Sequence, residues 1–175
     1  MELKVAIKLI EKGIADSSSP MHWADLGAGR GLFTAALCSL LPAGSSILAV
    51  DRDARALSGI KTDDKRVKVL TLQADFTTEL PVENTFDGIL MANALHFIDD
   101  KITFVNRIAA RLKTNGRFIL IEYDMLAPNP WVPWPLSFEN LGKLAGQTGF
   151  TNVKQLATHP SIYNRADMYA AVLQN

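Results

Sequence analysis

Three glycines spaced two apart, Gly27, Gly29 and Gly31, separate an apolar run from a helical pattern in the stretch His-Trp-Ala-Asp-Leu-Gly-Ala-Gly-Arg-Gly at residues 22–31. Glycine has no Cβ, so it takes φ > 0 and lets a ligand approach the backbone closely. A glycine-rich turn that opens a helix also presents free N–H groups to an anionic ligand group. Twenty residues after Gly31, a second apolar run, Ile47-Leu48-Ala49-Val50, ends in Asp51. A carboxylate at the end of a second strand is well placed to accept hydrogen bonds from ribose hydroxyls. This unit of strand, turn, helix, strand and acid predicts a nucleoside cofactor.

Three further apolar runs lead into polar residues: Gln73-Ala74-Asp75-Phe76, Asn93-Ala94-Leu95-His96-Phe97 and Glu122-Tyr123-Asp124. Ligands of an open α/β sheet bind beyond the carboxyl ends of its strands. Polar groups at five consecutive strand ends therefore describe one site. His96 is a candidate general base, because an unperturbed imidazole titrates near physiological pH; its other reading is a histidine packed under the cofactor or satisfied by a carbonyl. Metal-assisted chemistry needs carboxylates at the ends of the fourth and fifth strands, and only Asp124 is suitably placed, so no metal is expected. Trp131 and Trp134, three apart among prolines, offer large rigid apolar faces for a substrate pocket, with Tyr123 and the N-terminal helix as other walls. The same tryptophans also suit core packing or a dimer interface, which leaves a homodimer open.

Elements that position these residues follow from the apolar periodicity. Strands and helical patterns alternate over most of the chain, as in a parallel sheet covered by helices. Strands are expected at about 22–26, 46–51, 67–73, 86–92 and 117–123. Helices are expected at about 31–41, 53–60 and 102–112. Asn115-Gly116 punctuates the entry to the fifth strand. Residues 127–136 hold four prolines and two tryptophans and form neither regular helix nor central strand. A helix over 138–148 stops at Gly149, and strands at about 152–158 and 168–174 close the chain. In residues 1–14, Leu3, Ile7, Ile10 and Ile14 recur at helical spacing and predict an amphipathic helix that packs on the domain.

The glycine spacing narrows the cofactor. A dinucleotide fingerprint, Gly-x-Gly-x-x-Gly, would need glycine at position 32, which is Leu32; the chain reads Asp-x-Gly-x-Gly-x-Gly from Asp25 to Gly31. In this form it resembles the first motif of the class I S-adenosylmethionine-dependent methyltransferases. The resemblance implies S-adenosyl-L-methionine as cofactor and S-adenosyl-L-homocysteine as product. It also implies a Rossmann-like, doubly wound α/β fold: seven strands, mostly parallel, the last antiparallel, with helices on both faces. The turn of Gly27, Ala28, Gly29 and Gly31 would lie under the methionine part, and Asp51 would bind the ribose. Asp75 and Phe76 resemble the adenine contacts, or else cap a helix and fill the core. Asn93 joins the cofactor set. Arg52 stacks on the base through its guanidinium or points into water. Asp25 holds the turn by accepting backbone N–H bonds or meets the cofactor's amino group through water.

Asn93-Ala94-Leu95-His96 lacks the Asn/Asp-Pro-Pro-Tyr tetrad of methyltransferases that act on planar amines, and looks like the small-molecule enzymes, including those acting on quinone precursors. The implied function is methyl transfer to oxygen or carbon of a small molecule. Asn129-Pro130-Trp131 superficially resembles the tetrad but follows the fifth strand, and reads as a substrate-facing loop. A short-chain NAD(P) oxidoreductase would need Tyr-x-x-x-Lys, whereas Ala127, Asp167 and Leu173 stand four residues after Tyr123, Tyr163 and Tyr169. A non-catalytic cofactor-binding module, or a subunit that activates a partner, is the second hypothesis.

Composition agrees with one globular domain over 1–175: 48% of residues are hydrophobic and 21% charged. A formal net charge of zero without a Lys/Arg block disfavours a large nucleic-acid footprint. The longest nearly uncharged apolar stretch, 88–98, is too short to span a bilayer, and the charged N-terminus is wrong for a signal peptide. Cys38 is the lone cysteine, read as a small buried hydrophobe in a reducing cytoplasm.

Overall fold

Central strands of a parallel sheet are covered on both faces, so they read as unbroken apolar runs rather than alternating ones. The computed structural model, which describes residues 1–14, 16–61, 64–78, 85–161 and 166–175, forms one seven-stranded sheet. In chain order the elements are α1 (Leu3–Ile10), β1 (His22–Leu26), α2 (Leu32–Leu40), β2 (Ser46–Asp51), α3 (Ala54–Ser58), β3 (Lys68–Gln73), β4 (Phe86–Ala92), α4 (Lys101–Ala109), β5 (Leu112–Tyr123), α5 (Phe138–Gln147), β6 (Asn152–His159) and β7 (Met168–Gln174). The strand order is β3-β2-β1-β4-β5-β7-β6. The pairs from β3 through β5 are all parallel, and β7 runs antiparallel to both β5 and β6. The order reverses between β1 and β4, the switch point beside which ligands of such sheets bind.

Side-chain alternation divides the core between two helical layers. In β5, Phe118 and Leu120 face the layer that holds Phe104, Ile108 and Leu141 of α4 and α5. Ile119 and Ile121 face the opposite layer, with Leu9 and Ile10 of α1 and Leu37 of α2. The buried Tyr169 hydroxyl is paired, donating to Leu136 O at 2.9 Å. Helix starts carry their expected caps, with Asp53, Asp100 and Ser137 accepting N–H groups of the first turns of α3, α4 and α5. Gly149, at φ +79°, ends the segment after α5 in the left-handed conformation.

Two boundaries differ from the sequence reading. Residue 112 is the first residue of β5 and not the end of a helix: Leu112 pairs with Phe86, and pairing resumes at Arg117 opposite Gly88. Asn115-Gly116 therefore lies inside the strand, in an irregularity with Asn115 at φ +63°; the same turn chemistry that begins a strand also makes a bulge within one. In α1 the buried positions are Ala6, Leu9 and Ile10, followed by Gly13, while Leu3 is 40% exposed. The chain presses so closely on the sheet there that a Cβ at Gly13 would lie 2.7 Å from both Ile119 Cδ1 and Leu156 Cδ1. Ala6, Leu9, Ile10 and Gly13 thus form the contact face, and Leu3 is left at its margin. Among the described residues no helix is long and apolar enough to cross a membrane. Tyr163 lies outside the described residues.

Candidate active site

The turn after β1 is held by its own backbone and by β2. Gly27 and Ala28 both donate to Val50 O, at 2.8 and 3.0 Å, and Gly31 N donates to Ala28 O at 2.8 Å. Gly27 and Gly31 sit at φ +79° and +82°. A Cβ would lie 2.8 Å from Ala94 Cβ at Gly27 and 2.8 Å from Ile60 Cγ1 at Gly31, so at both positions conformation and close approach exclude a side chain. Gly29, by contrast, faces open space. Asp51, at the tip of β2, ties the turn to the strand end: Oδ2 accepts Gly29 N–H at 2.8 Å and Oδ1 accepts Asp53 N–H at 2.9 Å. Each carboxylate oxygen keeps a second lone pair for a hydroxyl.

A cavity of about 270 Å³ opens over this end of the sheet. Of the residues singled out from sequence, it brings together Gly27, Asp51, Arg52, Asp75, Phe76 and Asn93. Thr77, Ala94 and Phe97 complete its lining. Phe76 is a core and a wall residue at once, packing edge-on against Phe104 with ring centroids 6.1 Å apart. Asp75 is exposed, and its Oδ1 accepts both the N–H and the hydroxyl of Thr77, at 2.9 and 2.6 Å. These bonds hold its carboxyl below the usual range. Its local role is a side-chain turn rather than a helix cap.

Asp25, Ala28, Gly29 and Gly31 are absent from this cavity's lining. Ala28 packs with Ala49 and Leu57. Asp25 is buried, and among the described residues its hydrogen-bond partner is not an N–H of the glycine turn. Its Oδ2 accepts the Thr34 hydroxyl of α2 at 2.6 Å. Burial pushes its carboxyl up to about 7, against the Thr34 hydroxyl and with help from the charge of Asp51. Period-two alternation held the signal for this, because Asp25 shares a face with Trp23, and Trp23 belongs to the α1–α2 layer.

A second cavity, of about 360 Å³, lies between α1 and the ends of β5, β6 and β7. Tyr123 lines it, as expected, with Met1, Glu2 and Val5 of the N-terminal segment. His159, Pro160, Ser161 and Met168 were not anticipated; they come from the closing strand pair, whose ends carry no motif. Asn93 lines this cavity too, and its Oδ1 is buried without a hydrogen-bond partner among the described residues.

The Pro/Trp loop does not line either cavity. Trp131 is 74% and Trp134 43% exposed; Asn129 shapes the loop by accepting Trp131 and Val132 N–H at its Oδ1. These tryptophans thus stand apart from both described cavities, in a loop that holds four prolines. Trp134 N–H donates to His96 O at 3.1 Å. His96 itself is buried and lines neither cavity. Its ring Nδ1 meets Glu122 Oε2 at 2.7 Å, and its backbone N–H donates to Glu122 Oε1 at 3.1 Å. The partner is a carboxylate instead of a carbonyl. Glu122 was visible at the strand end but unassigned; it shares the face of Phe118 and Leu120, toward the segment that carries His96. Asp124 accepts Phe138 N–H at 3.0 Å. Among the described residues no group of three or more His, Cys, Asp or Glu side chains is arranged to hold a metal ion.

Comparison with known proteins places this geometry. A family model described as a methyltransferase domain matches residues 24–120, from β1 into β5. Uncharacterized methyltransferases of Mycobacterium tuberculosis and Mycobacterium bovis are 32% identical over 100 residues, 57% of this chain. The match spans about half the length of those relatives, 49%. Among solved structures, Burkholderia thailandensis 1,6-didemethyltoxoflavin-N1-methyltransferase, with 1,6-didemethyltoxoflavin and S-adenosylhomocysteine bound, is similar over 99% of this chain and 77% of its own, with TM-score 0.71 and 21% identity. The CurJ carbon methyltransferase is similar over 98% of this chain and 54% of its own, with TM-score 0.73 and 21% identity. The mitomycin 7-O-methyltransferase MmcR is similar over 99% and 54%, with TM-score 0.62 and 20% identity. At these identities the structures establish the fold, and they carry N-, C- and O-directed names alike. The sheet order, the glycine turn tied to Asp51 and the family match over 24–120 agree: this chain belongs to the methyltransferase-domain family, of the class I S-adenosylmethionine-dependent kind.

Proposed function

We propose that the chain moves the methyl group of S-adenosylmethionine to a small-molecule acceptor, at oxygen or carbon rather than at a planar nitrogen. One observation carries this reading: the cavity beside the glycine turn and the cavity beneath α1 share a wall at the end of β4, so a donor site and an acceptor site adjoin. The residues fit the cofactor. Asp51 offers its remaining lone pairs to ribose hydroxyls, Phe76 and Phe97 offer apolar walls, and Asp75 and Arg52 flank the base-sized end. The bound cofactor supplies an electrophilic methyl group on a sulfonium. The protein's share is to hold both molecules in line and to exclude water, which is worth several kcal/mol, on the order of 7–11 in well-oriented systems.

Absence of the Pro-Pro-Tyr tetrad after Asn93 supports an acceptor other than a planar amine. The cavity of about 360 Å³, walled by Met1, Val5, Tyr123 and Met168, supports a small, largely apolar molecule. The Glu122-paired His96 is buried against the fourth strand end, and we assign it to shaping that end, not to proton transfer. Calorimetry tests the first step: folded protein should bind S-adenosylmethionine or S-adenosylhomocysteine with micromolar affinity, and no heat with either would sink the proposal. A screen of hydroxylated or carboxylated aromatics with radiolabelled methyl donor then tests the second.

A further inference from the structure

The chain leaves β3, at the edge of the sheet, through residues 75–77, which line the cavity beside the glycine turn. The bend there is closed by short-range bonds. Asp75 Oδ1 accepts the N–H and hydroxyl of Thr77, and Asp75 O accepts the N–H and hydroxyl of Thr78 at 3.3 and 3.1 Å. A third cavity, of about 260 Å³, adjoins the first, and Thr77 and Phe97 line both. Thr77 is exposed, so close packing does not fix it. Arg107 of α4 reaches across instead: Nη1 donates to Thr77 O at 3.4 Å and Nη2 to Phe76 O at 3.3 Å. Its Cζ lies 5.6 Å from the centroid of Phe104, the ring on which Phe76 packs edge-on. Asp99 and Asp100 line the same third cavity, yet Arg107 forms no ion pair among the described residues.

We infer that Arg107 is a positioning residue for the base of the cofactor: its guanidinium holds the 75–77 bend against α4, so that Asp75 and Phe76 keep the places from which they meet adenine. A planar fork suits this role, because two N–H groups reach two successive carbonyls at once. Ordering the bend in advance removes a conformational cost that binding would otherwise bear. The group that gains most is the exocyclic amine of adenine, whose N–H a carboxylate such as Asp75 accepts. This inference rests on the methyl-transfer reading and deepens it. The rival role for Arg107 is general support of α4, and the test separates the two.

S-inosylhomocysteine serves as the probe beside S-adenosylhomocysteine, because it differs only in carrying a ring carbonyl where adenine has its amine. By calorimetry, the wild-type protein should bind S-adenosylhomocysteine about tenfold or more tightly, the scale of one hydrogen bond to a charged group. Arg107→Met, which keeps an apolar stem against Phe104 but has no donor, should shrink that ratio to about twofold while S-inosylhomocysteine affinity stays within about twofold. Arg107→Lys, which returns one donor, should recover part of the ratio. Equal losses for both ligands in Arg107→Met would assign Arg107 to general support and overturn the inference. An unchanged ratio in both variants would overturn it as well, and either result leaves the methyl-transfer reading standing. Wild-type protein that binds both ligands equally would overturn the inference alone, by removing adenine from the bend. Wild-type protein that binds neither would overturn both readings.

Discussion

Replacing Asp25 by asparagine should remove a pH-dependent loss of stability that is built into the sheet. In the folded protein burial holds the Asp25 carboxyl at about 7, against 3.8 in the open chain. Below pH 3.8 both states are protonated and the group contributes nothing. Between 3.8 and about 7 the unfolded chain is ionised while the folded chain still holds the proton. Unfolding therefore releases a proton, and stability falls as pH rises, by about 1.4 kcal/mol per unit. Above about 7 both states are ionised and the penalty levels off, at about 4 kcal/mol for the full separation. Asparagine cannot ionise, yet its Oδ1 still accepts the Thr34 hydroxyl that Asp25 holds at 2.6 Å. Its new N–H₂ group adds a constant offset of about 1–3 kcal/mol if unpaired. The readout is thus the difference in stability between the Asp25→Asn variant and wild type, followed by urea unfolding from about pH 4 to 8. It should shift in favour of the variant with rising pH and flatten at about pH 7–8. A difference that stays level across that range would show that the carboxyl titrates as an ordinary aspartate, and would refute the burial argument.

Other perturbations probe the site and its supports. Asp51→Ala should weaken S-adenosylhomocysteine binding at least tenfold by calorimetry, because it removes the carboxylate proposed to accept the ribose hydroxyls and frees the Gly29 and Asp53 N–H groups. Gly88→Ala should destabilise the fold by about 1–3 kcal/mol or more in urea unfolding, since its Cβ would sit 2.3 Å from the buried Trp23 ring; a loss under about 0.5 kcal/mol would contradict the packing. Glu122→Ala strips His96 of both its backbone and ring acceptors, at about 1–3 kcal/mol for each buried donor. Trp131→Ala, by contrast, should leave thermal stability within about 0.5 kcal/mol and cofactor affinity unchanged, because the ring is 74% exposed.

The parts legible before folding are those where local chemistry has one solution. β1, β2 and β4 appear at their expected residues because strands covered on both faces need continuous apolar runs. Gly27 and Gly31 were readable because positive φ and close approach each demand glycine. Signals with two solutions misled. Asn-Gly fits a turn before a strand and a bulge inside one, and only the pairing of Leu112 with Phe86 distinguishes them. Helical periodicity in α1 showed an apolar stripe but could not weigh Leu3 against the small Ala6 and Gly13, whose burial depends on how near Ile119 and Leu156 lie.

Thus the glycine turn and the strand-end acid specify the family and the cofactor, because each rests on a spacing along one stretch of chain. Where the side chains at those strand ends point is a different matter, set by contacts between segments far apart in sequence. Asp25 turns to Thr34, His96 is taken by Glu122, Trp131 is exposed, and Asn93 Oδ1 has no hydrogen-bond partner among the described residues. Hydrogen bonding and burial are decided across the whole fold at once, and no local pattern encodes which partner a polar group finds.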